Sequence, residues 1–275
     1  MAELCLGLAT SHLAHIVNAR GLGDPRQVAA FDAGYRRLAE ALAESAPDVA
    51  LIVSGEHVNK FFIDNMPAFA IGMLDEFSGP IEARTREFGV PYRRVRSNLG
   101  LSRYLVERGL DEGVDWAVIE SWEVDHGVMV PLFKLDPSGH CPMVPVFINC
   151  AAPPLPSPRR CYVVGRWLAD AIGRWDAGKR VAIIATGGLS HSVGSTQQGF
   201  IDVDFDQRFL DDFCAGRGNA LATLSDAEIS AAGSSTGEIR SWIVLAGAFD
   251  GRRAEQVMYE PIRGFDTGCA QCLIR

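Results

Sequence analysis

The sequence has no apolar run approaching the roughly 20 residues that a membrane-spanning helix requires. Its first residues, MAELCLGLATSHLAHIV, lack the basic segment of a secretion signal and hold two histidines within the apolar stretch. They read as a first core strand, and the chain is expected to be soluble and cytoplasmic. Cysteine is scattered and odd in number, seven residues at Cys5, Cys141, Cys150, Cys161, Cys214, Cys269 and Cys272. There are no paired C-x-x-C arrays, so neither a zinc ribbon nor a disulfide framework is expected, and the lone Cys269–Cys272 pair reads as incidental. Reduced thiols fit a reducing compartment. Basic residues are in deficit, 26 against 34 acidic, for a net charge of -8. That balance repels a polyanion and excludes nucleic acid as the main partner. Internal repeats and low-complexity tracts are also missing, which excludes a solenoid.

What is present is a globular composition. Hydrophobic residues make up 48% of 275, charged residues 22%, and the mean hydropathy is +0.08. A disordered chain lacks that much apolar side chain. Short apolar runs alternate with segments of helical period. Strands are predicted at Leu4–Thr10, Val49–Ser54, Ala68–Met73, Trp116–Ile119, Val144–Ile148 and Val181–Ala185, with a last one at Glu255–Tyr259. Helices are predicted at Arg26–Ser45, Asn98–Arg108, Tyr162–Ile172, Phe205–Phe213, Asp226–Ala232 and Glu238–Phe249. The proline-rich stretch 151–160 reads as an ordered loop feeding a helix rather than an interdomain linker. The expected fold is therefore α/β, one domain over residues 1–275. A central, mostly parallel or mixed β-sheet would carry helices on both faces.

Ligands of such sheets gather beyond the strand ends, which makes the six histidines informative. His12, His57 and His191 each follow a predicted strand directly, and His126 lies in a turn-like sequence beyond the Trp116 strand. One such histidine alone is usually structural. Four at different strand ends point to a common rim. Imidazole serves there as a transition-metal ligand or as an acid/base near neutral pH. Two histidines and one carboxylate on a divalent iron leave three adjacent positions open. The carboxylate candidates are Glu56, Asp64, Asp125 and Glu238, and from spacing alone the favoured reading of Glu238 is a helix-dipole partner.

These pieces together resemble the LigB-type class III extradiol ring-cleavage dioxygenases. The resemblance rests on Ser11-His12, Glu56-His57 with Phe61-Phe62, Asp125-His126-Gly127, Leu155–Tyr162, Thr186–His191 (TGGLSH), and Gly237-Glu238 with Trp242. It implies that His12, His57 and Glu238 bind a non-haem ferrous ion, Fe(II). It further implies that His191 is the acid/base histidine and His126 a second histidine facing the substrate. The implied substrates are O2 and a small aromatic diol or aminophenol, cleaved beside the diol. Family members commonly have Asp or Asn-Asp before the second metal histidine, where this chain has Gly55-Glu56. Some work with a small helical partner. This chain is expected to act alone or with a separate subunit, and a homodimer is compatible.

Other features have two readings each. Asp125 orients His126 or closes a turn. Phe61, Phe62 and Phe69 line an aromatic pocket or pack in the core. The basic cluster Arg84–Arg96 attracts a carboxylated aromatic or forms a solvated loop, the loop being favoured. Gly187-Gly188 permits close backbone approach or a tight turn. His15 and His140 match no motif and read as structural or surface residues. The competing functions are a zinc-dependent hydrolase on the same ligands and a non-catalytic binding member with a vestigial pocket. Retention of His126 and His191 speaks against the latter.

Overall fold

Apolar runs with no polar face can be satisfied only by burial on both sides, and four of them form the centre of the sheet. They are β1 (Glu3–Thr10), β2 (Val49–Ser54), β7 (Met143–Ile148) and β8 (Arg180–Thr186). The computed structural model describes residues 1–14 and 21–275; His15 lies outside the described residues. The remaining strands are β3 (Phe69–Gly72), β4 (Glu76–Gly79), β5 (Arg93–Arg96), β6 (Ala117–Ile119), β9 (Ala254–Ile262) and β10 (Thr267–Ile274).

The main sheet has eight strands in the order β6-β3-β7-β2-β8-β1-β10-β9, and β4 pairs with β5 apart from it. The block β7-β2-β8-β1 is parallel throughout. Antiparallel pairings of β3 on β7, and of β10 with both β1 and β9, make the whole sheet mixed. Parallel strands deliver their carboxyl ends to one rim. Ser11-His12, Gly55-Glu56-His57, Asn149-Cys150 and the Thr186–His191 loop therefore emerge side by side.

Alternate residues of the central strands feed two cores. Val49, Leu51 and Val53 face α3 (Leu99–Glu112), α5 (Pro158–Arg174), α6 (Val203–Cys214) and α9 (Ile239–Ala248). Ala50 and Ile52 face α1 (Pro25–Ser45) and α4 (His126–Leu135). Helices cover both faces, as the continuous apolar strands require. The short helices are α2 (Ala83–Glu87), α7 (Gly218–Leu221) and α8 (Asp226–Ala231). Pro25 and Pro158 occupy the first positions of α1 and α5, with Asp24 and Ser157 as their side-chain caps. The 151–160 stretch is thus the ordered entry to a helix.

Four sequence expectations need correction. The strand at Glu255–Tyr259 is not the last, because β10 follows and inserts between β1 and β9. His126 is no mid-turn residue but the first residue of α4. Glu238 closes a 3-10 turn, Thr236–Glu238, and α9 begins only at Ile239. The Arg84–Arg96 segment is not a loop; it contains α2 and β5.

Candidate active site

Histidine can use either ring nitrogen, so the partner of one nitrogen decides what the other can do. All four strand-end imidazoles are tethered through Nδ1. His12 Nδ1 lies 3.2 Å from Thr186 Oγ1, whose own proton goes to the Gly127 carbonyl at 2.8 Å. The hydroxyl therefore accepts from His12, and Nε2 is left with its lone pair. His57 Nδ1 donates to Asp125 Oδ2 at 2.8 Å, and His126 Nδ1 donates to Glu82 Oε1 at 2.7 Å. His191 Nδ1 donates to the Leu189 carbonyl at 2.8 Å. Each ring thus holds Nε2 in reserve.

Three of those Nε2 atoms surround one carboxylate. Glu238 Oε1 lies 3.2 Å from His57 Nε2 and 3.7 Å from His12 Nε2, while Oε2 lies 3.7 Å from His191 Nε2. Oε2 also accepts from Gly188 N–H at 2.7 Å. Glu238 reaches this place because its loop is stitched to the end of β8. Ser235 N–H donates to His191 O at 3.0 Å, Trp242 Nε1 to Gly187 O at 3.0 Å, and Ser241 Oγ to Thr186 O at 2.7 Å. At Gly187 (φ +152°) a Cβ would sit 2.8 Å from Glu238 Cβ, so the backbone approach requires glycine.

Asp125 does more than close a turn. Oδ1 caps α4 by accepting from Gly127 N–H at 2.9 Å, while Oδ2 accepts from both the backbone N–H and Nδ1 of His57 at 2.8 Å. It orients His57, not His126. Glu82 is the residue that holds His126.

The charges follow from these contacts. Burial opposes ionisation of Asp125, but the His57 imidazole outweighs it and holds the carboxyl below the usual range. Burial likewise opposes charge on Glu238, yet the facing His12 and His191 rings keep its carboxyl well below the ordinary value. Burial resists protonation of His57 and His191; carboxylates overcome it at both and raise their pKa, Asp125 with Glu238 at His57 and Glu238 at His191. At His12 burial prevails and the pKa falls, favouring neutral imidazole. Burial also raises the Glu56 carboxyl. That side chain accepts backbone N–H groups of Asn59, Lys60 and Phe61, fastening its own loop.

A divalent metal fits this donor set. Among the described residues His12 Nε2 is buried without a hydrogen-bond partner, beside an anionic oxygen and a second imidazole nitrogen. A buried lone pair left unpaired is costly, and a shared cation removes that cost. Donor atoms of His12, His57 and His126 also lie within 4.8 Å of one another, so His126 borders the same spot. The His57 and His126 rings have centroids 4.0 Å apart.

All five residues singled out from sequence, His12, His57, His126, His191 and Glu238, line one cavity of ≈ 660 Å³. Asp64 is exposed outside it, and His140 is a surface residue. Phe69 is buried against Trp116, Phe61 packs on Phe147 and Phe62 is exposed; the aromatic walls are Phe88 and Phe265 instead. Arg84 also lines the cavity, from a segment that sequence assigned to solvent. Cys269 and Cys272 are free thiols in β10, away from the cavity lining.

Residues 6–269 match the family model described as the catalytic LigB subunit of aromatic ring-opening dioxygenase. The chain belongs to the LigB family. Among curated LigB relatives is the 2,3-dihydroxyphenylpropionate/2,3-dihydroxicinnamic acid 1,2-dioxygenase of Klebsiella pneumoniae. It is 30% identical over 90% of this chain and 92% of its own length. A protein with the same description from Photorhabdus laumondii is 28% identical over 86% and 87%. The solved structure of an uncharacterised Escherichia coli K12 protein superposes with TM-score 0.57 at 14% identity, covering 98% of this chain and all of that one. That likeness concerns the fold alone. LigB membership makes the chain an oxidoreductase of the aromatic ring-opening class, and no helix among the described residues is long and apolar enough to cross a membrane.

Proposed function

We propose that this chain cleaves a catecholic ring beside its diol, with His12, His57 and Glu238 holding a ferrous ion. The observation that carries this reading is the convergence of two Nδ1-tethered imidazoles on one buried carboxylate oxygen, with His12 Nε2 lacking a hydrogen bond from any described residue. A facial pair of histidines and a carboxylate is the donor set of non-haem iron oxygenases, and the ion supplies the shared site for diol and dioxygen. The substrates named for the relatives are vicinal diols, which fits a chelating pair of oxygens.

The chain's own residues then have separable tasks. His191, fixed as the Nδ1–H tautomer by a carbonyl that can only accept, presents Nε2 as a base for a phenolic proton and as an acid afterwards. His126, held by Glu82, can donate to or accept from a substrate oxygen. Asp125 and Thr186 fix the orientation of the two ligand rings, a role worth 10–100-fold in metal affinity in comparable sites. Phe88 and Phe265 form apolar walls against an aromatic ring.

The grouping of His12 and His57 with His126 supports a second ligand set, three histidines. Metal content separates the two: Glu238→Ala should lose the ion and His126→Ala should keep it. The function is tested in an oxygen electrode with anaerobically iron-loaded protein and a panel of catechols. Uptake of about one O2 per diol, dependent on ferrous iron and absent with zinc, is the expected result. Hydrolysis supported by zinc, without oxygen uptake, would overturn it.

A further inference from the structure

The charges lining the cavity do not balance. Three carboxylates line it, Glu56, Glu238 and Asp266, and each already accepts hydrogen bonds from the protein. Glu56 takes backbone N–H groups of its own loop, Glu238 takes Gly188 N–H, and Asp266 takes Gln198 Nε2 at 2.9 Å. Arg84 is the one Lys or Arg among the described lining residues. Its guanidinium makes no hydrogen bond or ion pair with any described residue and lies over the Phe88 ring, 5.6 Å from the centroid. The other arginines of the same segment are committed: Arg86 to the Pro80 and Ile81 carbonyls, Arg93 to Asp136 O, Arg94 to Glu76, and Arg96 to His140 O.

Position makes the contrast meaningful. Arg84 stands on α2 two residues after Glu82, whose carboxylate fastens His126. The same short element thus serves both the histidine that borders the reacting end and a cation on the cavity wall. An arginine held over an aromatic ring keeps its N–H fork available at low entropy cost, and that fork suits a planar carboxylate.

We propose that Arg84 is the specificity-determining residue of this cavity, engaging a carboxylate on the side arm of the aromatic substrate. This rests on the ring-cleavage reading for the identity of the substrate's other end, though not for the charge preference itself. The arm's carboxylate would pair with the guanidinium on the α2 side while the diol occupies the histidine end.

The test is anaerobic calorimetry on iron-loaded protein with two diols, 3-(2,3-dihydroxyphenyl)propionate and the corresponding uncharged propanol. The parent protein is expected to bind the acid about tenfold tighter than the alcohol, the scale of one charge-assisted contact at a partly exposed site. The preference should shrink as salt rises from about 0.05 to 0.5 M. Arg84→Met should erase it by weakening the acid, and Arg84→Lys should retain part of it. An acid-to-alcohol ratio that is near one in the parent, or unchanged in Arg84→Met, would overturn the assignment. Oxygen uptake by the parent with the same two diols is read separately. If neither is consumed while the binding ratio still depends on Arg84, ring cleavage falls and the carboxylate site stands.

Discussion

A histidine's usefulness depends on the atom behind it. In this protein a hydroxyl, two carboxylates and a carbonyl each claim an Nδ1, so that four Nε2 atoms remain for metal, substrate or proton. Replacing His12, His57 or Glu238 with Ala should each remove the iron, checked by metal analysis after reconstitution; near-stoichiometric iron in all three variants would refute the ligand set. His191→Ala should retain iron and bind the diol while kcat falls by about 10²-fold or more, read in the oxygen electrode. A decrease of only a few-fold would show that another group moves the proton. These residues were legible because each sits beside a strong local signal, a strand end or a short motif. Glu82 was not. It lies 44 residues before His126, and no spacing rule connects them; the backbone pairing of Ser78 and Ile81 with Trp122 and Val124 brings the two segments together.

At the scale of the element, legibility followed burial pattern. Strands β2 and β8 announced themselves because both faces are covered and every position between their ends is apolar. Helix α4, HGVMVPLFKL, hid because it is apolar almost all round and contains Pro131, leaving no amphipathic stripe. Strand β10, TGCAQCLI, hid because glycine, glutamine and two cysteines dilute its pattern; its burial comes from the flanking β1 and β9. The loop after β8 carries the sharpest steric demand. Gly187→Ala adds a methyl against Glu238 and a left-handed backbone cost, so metal affinity should fall at least tenfold with circular dichroism unchanged. Glu82→Gln should leave iron content intact and lower kcat about tenfold, since the amide holds His126 without its charge. Lost iron in that variant would place His126 among the ligands instead.

For the molecule as a whole, the parallel block and its two helical layers were foreseeable, whereas the antiparallel flank was not. Against the β9 side of that flank, helix α6 carries a buried titrating group. Asp206 accepts from Ser190 N–H, Ser190 Oγ and Tyr259 OH, each at 2.8 Å, and burial pushes its carboxyl up to about 6 despite those donors. The folded state therefore holds this proton more tightly than the unfolded chain, whose value is 3.8. Its contribution to stability is full below about pH 4 and is lost as pH rises through about 6, a change of about 3 kcal/mol. Denaturation of the parent and of Asp206→Asn across pH 4–8 should show the difference between them shifting in that window; parallel curves would contradict it. The placement of β10 also ties the site to a segment far away in sequence. Ser11 donates its backbone N–H to Ala270 O and accepts Ala270 N–H on its hydroxyl, so the residue before His12 is braced by a strand 259 residues away. Until β10 docks on β1 that first imidazole has no anchor behind it, so the site can form only once this distant pairing has closed.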